Sequence, residues 1–137
     1  MMAMAIVPIA GMIGSGLDMS RAYLAKAKLQ TACDSTALAT RRFMGGEPFS
    51  DEAEAEGQKF FDFNFPDGLM GTAPFDPVIS NRTGTDIVEV RASTTVPTSL
   101  MRIFGREQIA ISVACDADQD FVHNDIMVVL DVTGSMN

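Results

Sequence analysis

Three oxygen-bearing side chains, Asp131, Thr133 and Ser135, stand at alternate positions in the segment IMVVLDVTGSMN, residues 126–137. Alternation sets them on one side of a turning loop, and Gly134 allows the backbone to bend there. A hard cation such as Mg²⁺ takes oxygen ligands near octahedral angles and keeps several waters. The two hydroxyls would ligate such an ion directly, and the Asp131 carboxylate would act through water. The apolar run Ile126 to Leu130 reads as a buried strand, which delivers an acid at its carboxyl end. Ligands sit beyond those strand ends in open α/β sheets.

Other reactive groups are scarce. The chain has one histidine, His123, and no tryptophan. His123 lies in the acidic stretch DADQDFVHND, which reads as a solvated linker and lacks the glycine and terminal glutamate of a calcium-binding EF-hand loop. Cys33 and Cys115 have no C-x-x-C spacing and are too few for a disulfide framework. Two readings stay open for them, a pair of plain buried residues or one bridge in an oxidising compartment. The net charge of −8 is divided unevenly, with +3 on residues 1–42 and −11 on residues 43–137. Nucleic acid is excluded as a partner of the main body, because phosphate backbones are bound by clustered positive charge.

The elements that would position these groups follow from periodicity. Residues 1–17, MMAMAIVPIAGMIGSGL, hold no charge. As a helix they would reach roughly 25 Å, slightly short of a bilayer's hydrocarbon core of about 30 Å. Ala10 with Gly14, and Gly11 with Ser15, give the small-xxx-small spacing that permits close helix contact in lipid. Asp18 then falls at the expected water boundary. Beyond it Ala22, Ala25, Leu29, Ala32, Cys33, Thr36, Ala37 and Thr40 recur at three- and four-residue steps. That narrow stripe of small residues suits a helix lying on a sheet, with Lys26, Lys28, Asp34 and Arg41 off it.

Ser50 is the expected N-cap of a second helix with acids in its first turn. Pro66 and Gly68 stop that helix after FFDFNF, whose phenylalanines read as packing. Two period-two runs predict strands. Val88, Val90, Ala92, Thr94 and Val96 share one face of the first, and Ile109, Ile111, Val113 and Cys115 one face of the second. PVISN is a candidate third strand, and PTSLMRIFGRE between the two strong strands is a candidate helical cap on the sheet. If the first helix covers the apolar face, Cys33 and Cys115 can meet.

DIMVVLDVTGSMN resembles the first strand and metal-ion-dependent adhesion loop of von Willebrand factor A domains, whose motif is D-x-S-x-S; Asp131, Thr133 and Ser135 fill its three positions. The upstream part, with GLDMSRAYLAKAKLQTACDSTALAT, FFDFNFP and VPTSLMRIFG, is similar to the amino-terminal region of TadG-like proteins of Flp (tight adherence) pilus assembly. The resemblance implies an α+β fold: a long N-terminal membrane-anchoring helix packed on a small antiparallel sheet, followed by the first strand of an incomplete α/β von Willebrand factor A domain. The expected division is a transmembrane segment 1–17, a TadE/TadG-like region 18–116, a linker 117–125 and the truncated A domain 126–137. The later ligands of the A domain's metal site are not in this chain. Mg²⁺ is therefore expected in the full-length domain and not as a tight ligand here.

The function implied is structural and non-catalytic, in a single-pass protein of the bacterial inner membrane. The other pilus-assembly proteins are its implied partners, and no protein ligand of the A domain is specified. The family places the body in the periplasm, whereas Arg21, Lys26, Lys28, Arg41 and Arg42 just after the apolar run favour cytoplasmic retention by charge alone; the family placement is preferred. Two rival readings fit the same residues. DVTGS also resembles the DKTGT loop of P-type ATPases and, more loosely, the haloacid-dehalogenase phosphotransferases, with Asp131 as a nucleophile toward phosphate. A secreted adhesin fragment would differ in losing the apolar segment by cleavage.

Overall fold

A computed structural model describes the backbone of residues 2–119 and the side chains of residues 11–119. One helix, α1, runs unbroken from Met2 to Met44. At 1.5 Å per residue it is about 65 Å long. Helix α2 spans Asp51–Asn64 and is followed by a 3-10 turn at Leu69–Gly71. Strands β1 (Val78–Asn81), β2 (Val88–Pro97) and β3 (Gln108–Ala117) form one antiparallel sheet in the order β1-β2-β3. A second 3-10 turn, Met101–Phe104, lies in the connection from β2 to β3. The architecture is α+β, a long N-terminal helix on a small antiparallel sheet.

The sheet is held to one register because its period-two pattern has only one face to bury. Val90 pairs with Cys115, Ala92 with Val113, Thr94 with Ile111 and Val96 with Ile109. All of these except the half-buried Ile109 turn a buried side chain inward. A slip of one residue would expose them all. PVISN does supply the third strand, with Ile79 buried and paired to Val90.

The stripe on α1 meets that face. Ala25, Leu29, Ala32 and Cys33 are fully buried, and Ala22, Thr36, Ala37 and Thr40 are buried with them. Small side chains allow the helix axis to approach the sheet closely. Each large aliphatic residue on the sheet then loses nearly all its water contact, worth about 1.5–3 kcal/mol apiece. Helix α2 follows the same rule at Gly57, where an added Cβ would collide with the Thr40 hydroxyl and come within 3.0 Å of Ile79 Cδ1. Ser50 caps α2 by accepting a hydrogen bond from the Ala53 amide at 3.3 Å. Phe61 and Phe65 stack edge-on against Phe75 beneath it, while Phe60 and Phe63 face outward.

Two expectations are corrected. Arg41 does not lie off the buried stripe: it is 3% exposed. Its guanidinium folds back to donate to the Gly45 carbonyl at 3.1 Å, so the charge meets the negative end of the helix dipole while the stem is covered. The β2–β3 connection does not cap the sheet. It leans on the N-terminal half of α1, where Gly11 and Gly14 let Phe104 and Leu100 come close to the helix backbone.

Cys33 and Cys115 are joined by a disulfide with Cα atoms 5.9 Å apart, closing 82 residues of sequence separation and tying the C-terminal half of α1 to β3. By loop-closure entropy such a bridge stabilises by roughly 4–5 kcal/mol. Reduction with dithiothreitol is expected to lower the urea midpoint of the folded chain by a corresponding amount. An unchanged midpoint after complete thiol release would show that the bridge contributes no stability.

Candidate functional site: an aspartate clamp beside an apolar face

Asp18 lies four residues before Ala22 and seven before Ala25, so it continues the buried stripe toward the N-terminus. It is 5% exposed, although no charged residue precedes it. What satisfies it is backbone from more than eighty residues further along the chain. The Ser99 amide donates to Oδ1 at 2.9 Å, and the amides of Leu100 and Met101 donate to Oδ2 at 2.9 and 2.7 Å. These amides open the 3-10 turn Met101–Phe104, where no side chain of the turn itself supplies a cap. The carboxylate thus takes the place of that cap.

The connection held in this way is closed at its base as well. The Thr98 amide donates to the Glu107 carbonyl at 2.9 Å, and the Thr98 hydroxyl donates to the Arg106 carbonyl. Leu100 and Phe104 then lie directly on α1. A Cβ at Gly14 would stand 2.6 Å from Leu100 Cβ, and one at Gly11 would stand 2.8 Å from Phe104 Cζ. Of the small-residue spacing, Gly11 and Gly14 thus serve a contact within the chain. One turn further along, Arg21 donates from Nη2 to the Met70 carbonyl at 2.9 Å. Met70 holds φ at 58°, in the left-handed region that non-glycine residues seldom adopt. Asp18 and Arg21, three residues apart, therefore anchor two different connections to one short length of helix.

Hydrogen bonds from the Met101 and Ser99 amides hold the Asp18 carboxyl below its ordinary pKa of 3.8. The Leu100 amide and the nearby Arg21 charge act in the same direction, and burial opposes them. The site has no nucleophile–base pair, and among the described residues no group of three or more His, Cys, Asp and Glu could hold a metal ion. What the geometry shows is a carboxylate fixing the place of a connection on the helix.

Around the clamp the surface is apolar. Met12, Ile13, Leu17, Tyr23 and Leu24 are all more than half exposed on α1, and Ile103 and Phe104 extend the face from the connection. Among the described residues no helix is long and apolar enough to cross a membrane. Most of the segment expected to span, residues 1–17, falls outside the described side chains. Asp131, Thr133, Ser135 and His123 also lie outside the described residues.

Residues 1–42 match the family model described as "Putative Flp pilus-assembly TadE/G-like". The match covers the N-terminal segment, Asp18, Arg21 and the whole small-residue stripe. No curated protein and no solved structure matches the chain. Sequence reasoning placed Asp18 of this matched segment at a water boundary and missed the clamp. The available signal was its place on the buried stripe. Its partners, being backbone amides more than eighty residues away, leave no trace in residue types.

Replacing Asp18 by Asn leaves one acceptor oxygen for three amides and sets an NH₂ group against donors. Asp18→Asn is expected to accelerate hydrogen exchange at Ser99, Leu100 and Met101 while leaving β3 protected. The pH dependence follows from the lowered pKa. The folded carboxyl binds its proton more weakly than the unfolded one, so its contribution is complete above the unfolded pKa and fades as pH falls through the folded value. The wild-type clamp should therefore stay closed at neutral pH and loosen only below about pH 4, as read from the Ser99–Met101 amide resonances.

Proposed function

We propose that this chain is a non-catalytic, membrane-anchored component of Flp (tight adherence) pilus assembly. Residues 1–17 tether it to the bacterial inner membrane, and residues 18–116 form a body on the periplasmic side. The observation that carries this reading is the family match over residues 1–42. The uncharged start of the chain and the exposed apolar residues around Asp18 support the tether. The Cys33–Cys115 bridge supports an oxidising compartment for the body. Other pilus-assembly proteins are the partners on this reading.

The finer proposal concerns the carboxyl-terminal residues. Residues 117–125 act as a linker, and residues 126–137 are the opening strand and adhesion loop of a von Willebrand factor A domain. Asp131, Thr133 and Ser135 would supply part of its Mg²⁺ site, the remaining ligands coming from elsewhere in a complete domain. The support is the D-x-T-x-S spacing beyond an apolar run.

Two measurements test these readings. Alkaline phosphatase fused after residue 125 is expected to be active and to remain with the membrane on alkaline carbonate extraction; activity confined to a cytoplasmic reporter at the same position would refute the topology. Titration calorimetry of the chain with Mg²⁺ should show no tight stoichiometric site. A tight one would contradict the incomplete ligand set.

A further inference from the structure

The connection between β2 and β3 rests on α1 through Leu100 and one side of Phe104, and turns Ile103 and the rest of Phe104 outward. Ile103 is 77% exposed and Phe104 58% exposed. Arg102 and Arg106 flank this pair and are exposed too, and no acid occurs from Thr98 to Arg106. The segment is also held rigidly in place, by three amides on Asp18 and by the Thr98 pairing at its base. Exposed apolar tips on a fixed support, bracketed by cations, match the chemistry of a surface that is apolar inside and anionic at its rim.

The position along α1 identifies that surface. Phe104 lies on Gly11 and Leu100 on Gly14, whereas the clamp is at Asp18. At 1.5 Å per residue, Gly11 is about 10 Å from Asp18 toward the uncharged start of the helix. Interfacial apolar groups sit about 5–10 Å into the headgroup and acyl boundary. An open groove bounded by Gly11, Met12, Ser15 and Phe104 runs beside the contact.

We propose that residues 98–106 form a foot inserted in the membrane interface: Ile103 and Phe104 enter the acyl boundary of the bilayer that holds residues 1–17, and Arg102 and Arg106 meet anionic lipid phosphates. This rests on the membrane-anchored reading of the chain and adds a second attachment to it. Two attachments on one bilayer fix the rotation and tilt of the body, which a single helix leaves free. Asp18 is a positioning residue here, because it sets the foot's height on the helix without touching lipid.

The chain contains no tryptophan, so Ile103→Trp makes one fluorescent reporter on a side chain that packs against little. Phe43→Trp serves as the distant control, 25 residues beyond Asp18 on the same helix and exposed. The full chain carrying either substitution is reconstituted in vesicles of phosphatidylcholine and phosphatidylglycerol containing lipids brominated near the headgroup. The expected result is that both variants float with the vesicles, that Ile103→Trp emission is blue-shifted and quenched, and that Phe43→Trp emission is not. Quenching of Ile103→Trp should weaken in pure phosphatidylcholine, and adding Arg102→Gln and Arg106→Gln should remove that lipid dependence.

Flotation with unquenched Ile103→Trp overturns the foot and leaves the anchor standing, with the face turned to solvent, a second copy or another protein. Quenching at both positions overturns it as well, because the helix would then lie flat on the bilayer. Insensitivity to phosphatidylglycerol overturns the role given to the arginines. Failure of either variant to float refutes the anchored reading, and the foot with it.

Discussion

A buried carboxylate answered by three peptide amides is the constraint on which the N-terminal half of this molecule depends. Asp18 lies at the end of an uncharged run, so water or protein must satisfy it, and the fold has withdrawn it from water. Withdrawing a charge is costly unless hydrogen-bond donors replace its hydration. The amides of Ser99, Leu100 and Met101 do so, and they are themselves donors that a 3-10 turn leaves unpaired at its start. Each side of the contact removes a deficit of the other, which is why a connection so rich in apolar residues can be held away from the core.

The glycines opposite that connection complete the arrangement. Gly11 and Gly14 give up helix propensity, about 1 kcal/mol each relative to alanine. In return they let Leu100 and Phe104 rest on the helix backbone. Further along α1 the same economy of side-chain size brings the helix onto the sheet, where Ala25, Ala32 and Cys33 leave space for the valines of β2 and β3. One helix therefore does three things along its length, with an uncharged start, a clamped middle and a body-forming end. The disulfide from Cys33 to Cys115 fastens the last of these.

The pilus-assembly reading rests on the family match over residues 1–42 and on the physical character of that same segment. The stripe that covers the sheet, the acid that holds the connection and the uncharged start all lie within those residues. The body that follows contributes the sheet and the connection that they require. The match and the fold thus bear on one another: the matched helix is the element that α2, β2, β3 and both 3-10 turns pack against or are fastened to.

Periodicity alone determined the stripe on α1, the inward faces of β2 and β3, the Ser50 cap and the stop at Pro66, because each depends on side-chain spacing within a few residues. The possibility that Cys33 and Cys115 meet was also legible, since both fell on faces that had to be buried together. Tertiary structure decided what spacing cannot encode. Arg41 folds back over its own helix end, the β2–β3 connection settles on glycines of α1 instead of the sheet, and Asp18 finds its donors in distant backbone. Backbone amides are the same in every residue but proline, so a side chain that binds them carries no pairing signal in sequence; only the folded path of the chain brings them to it.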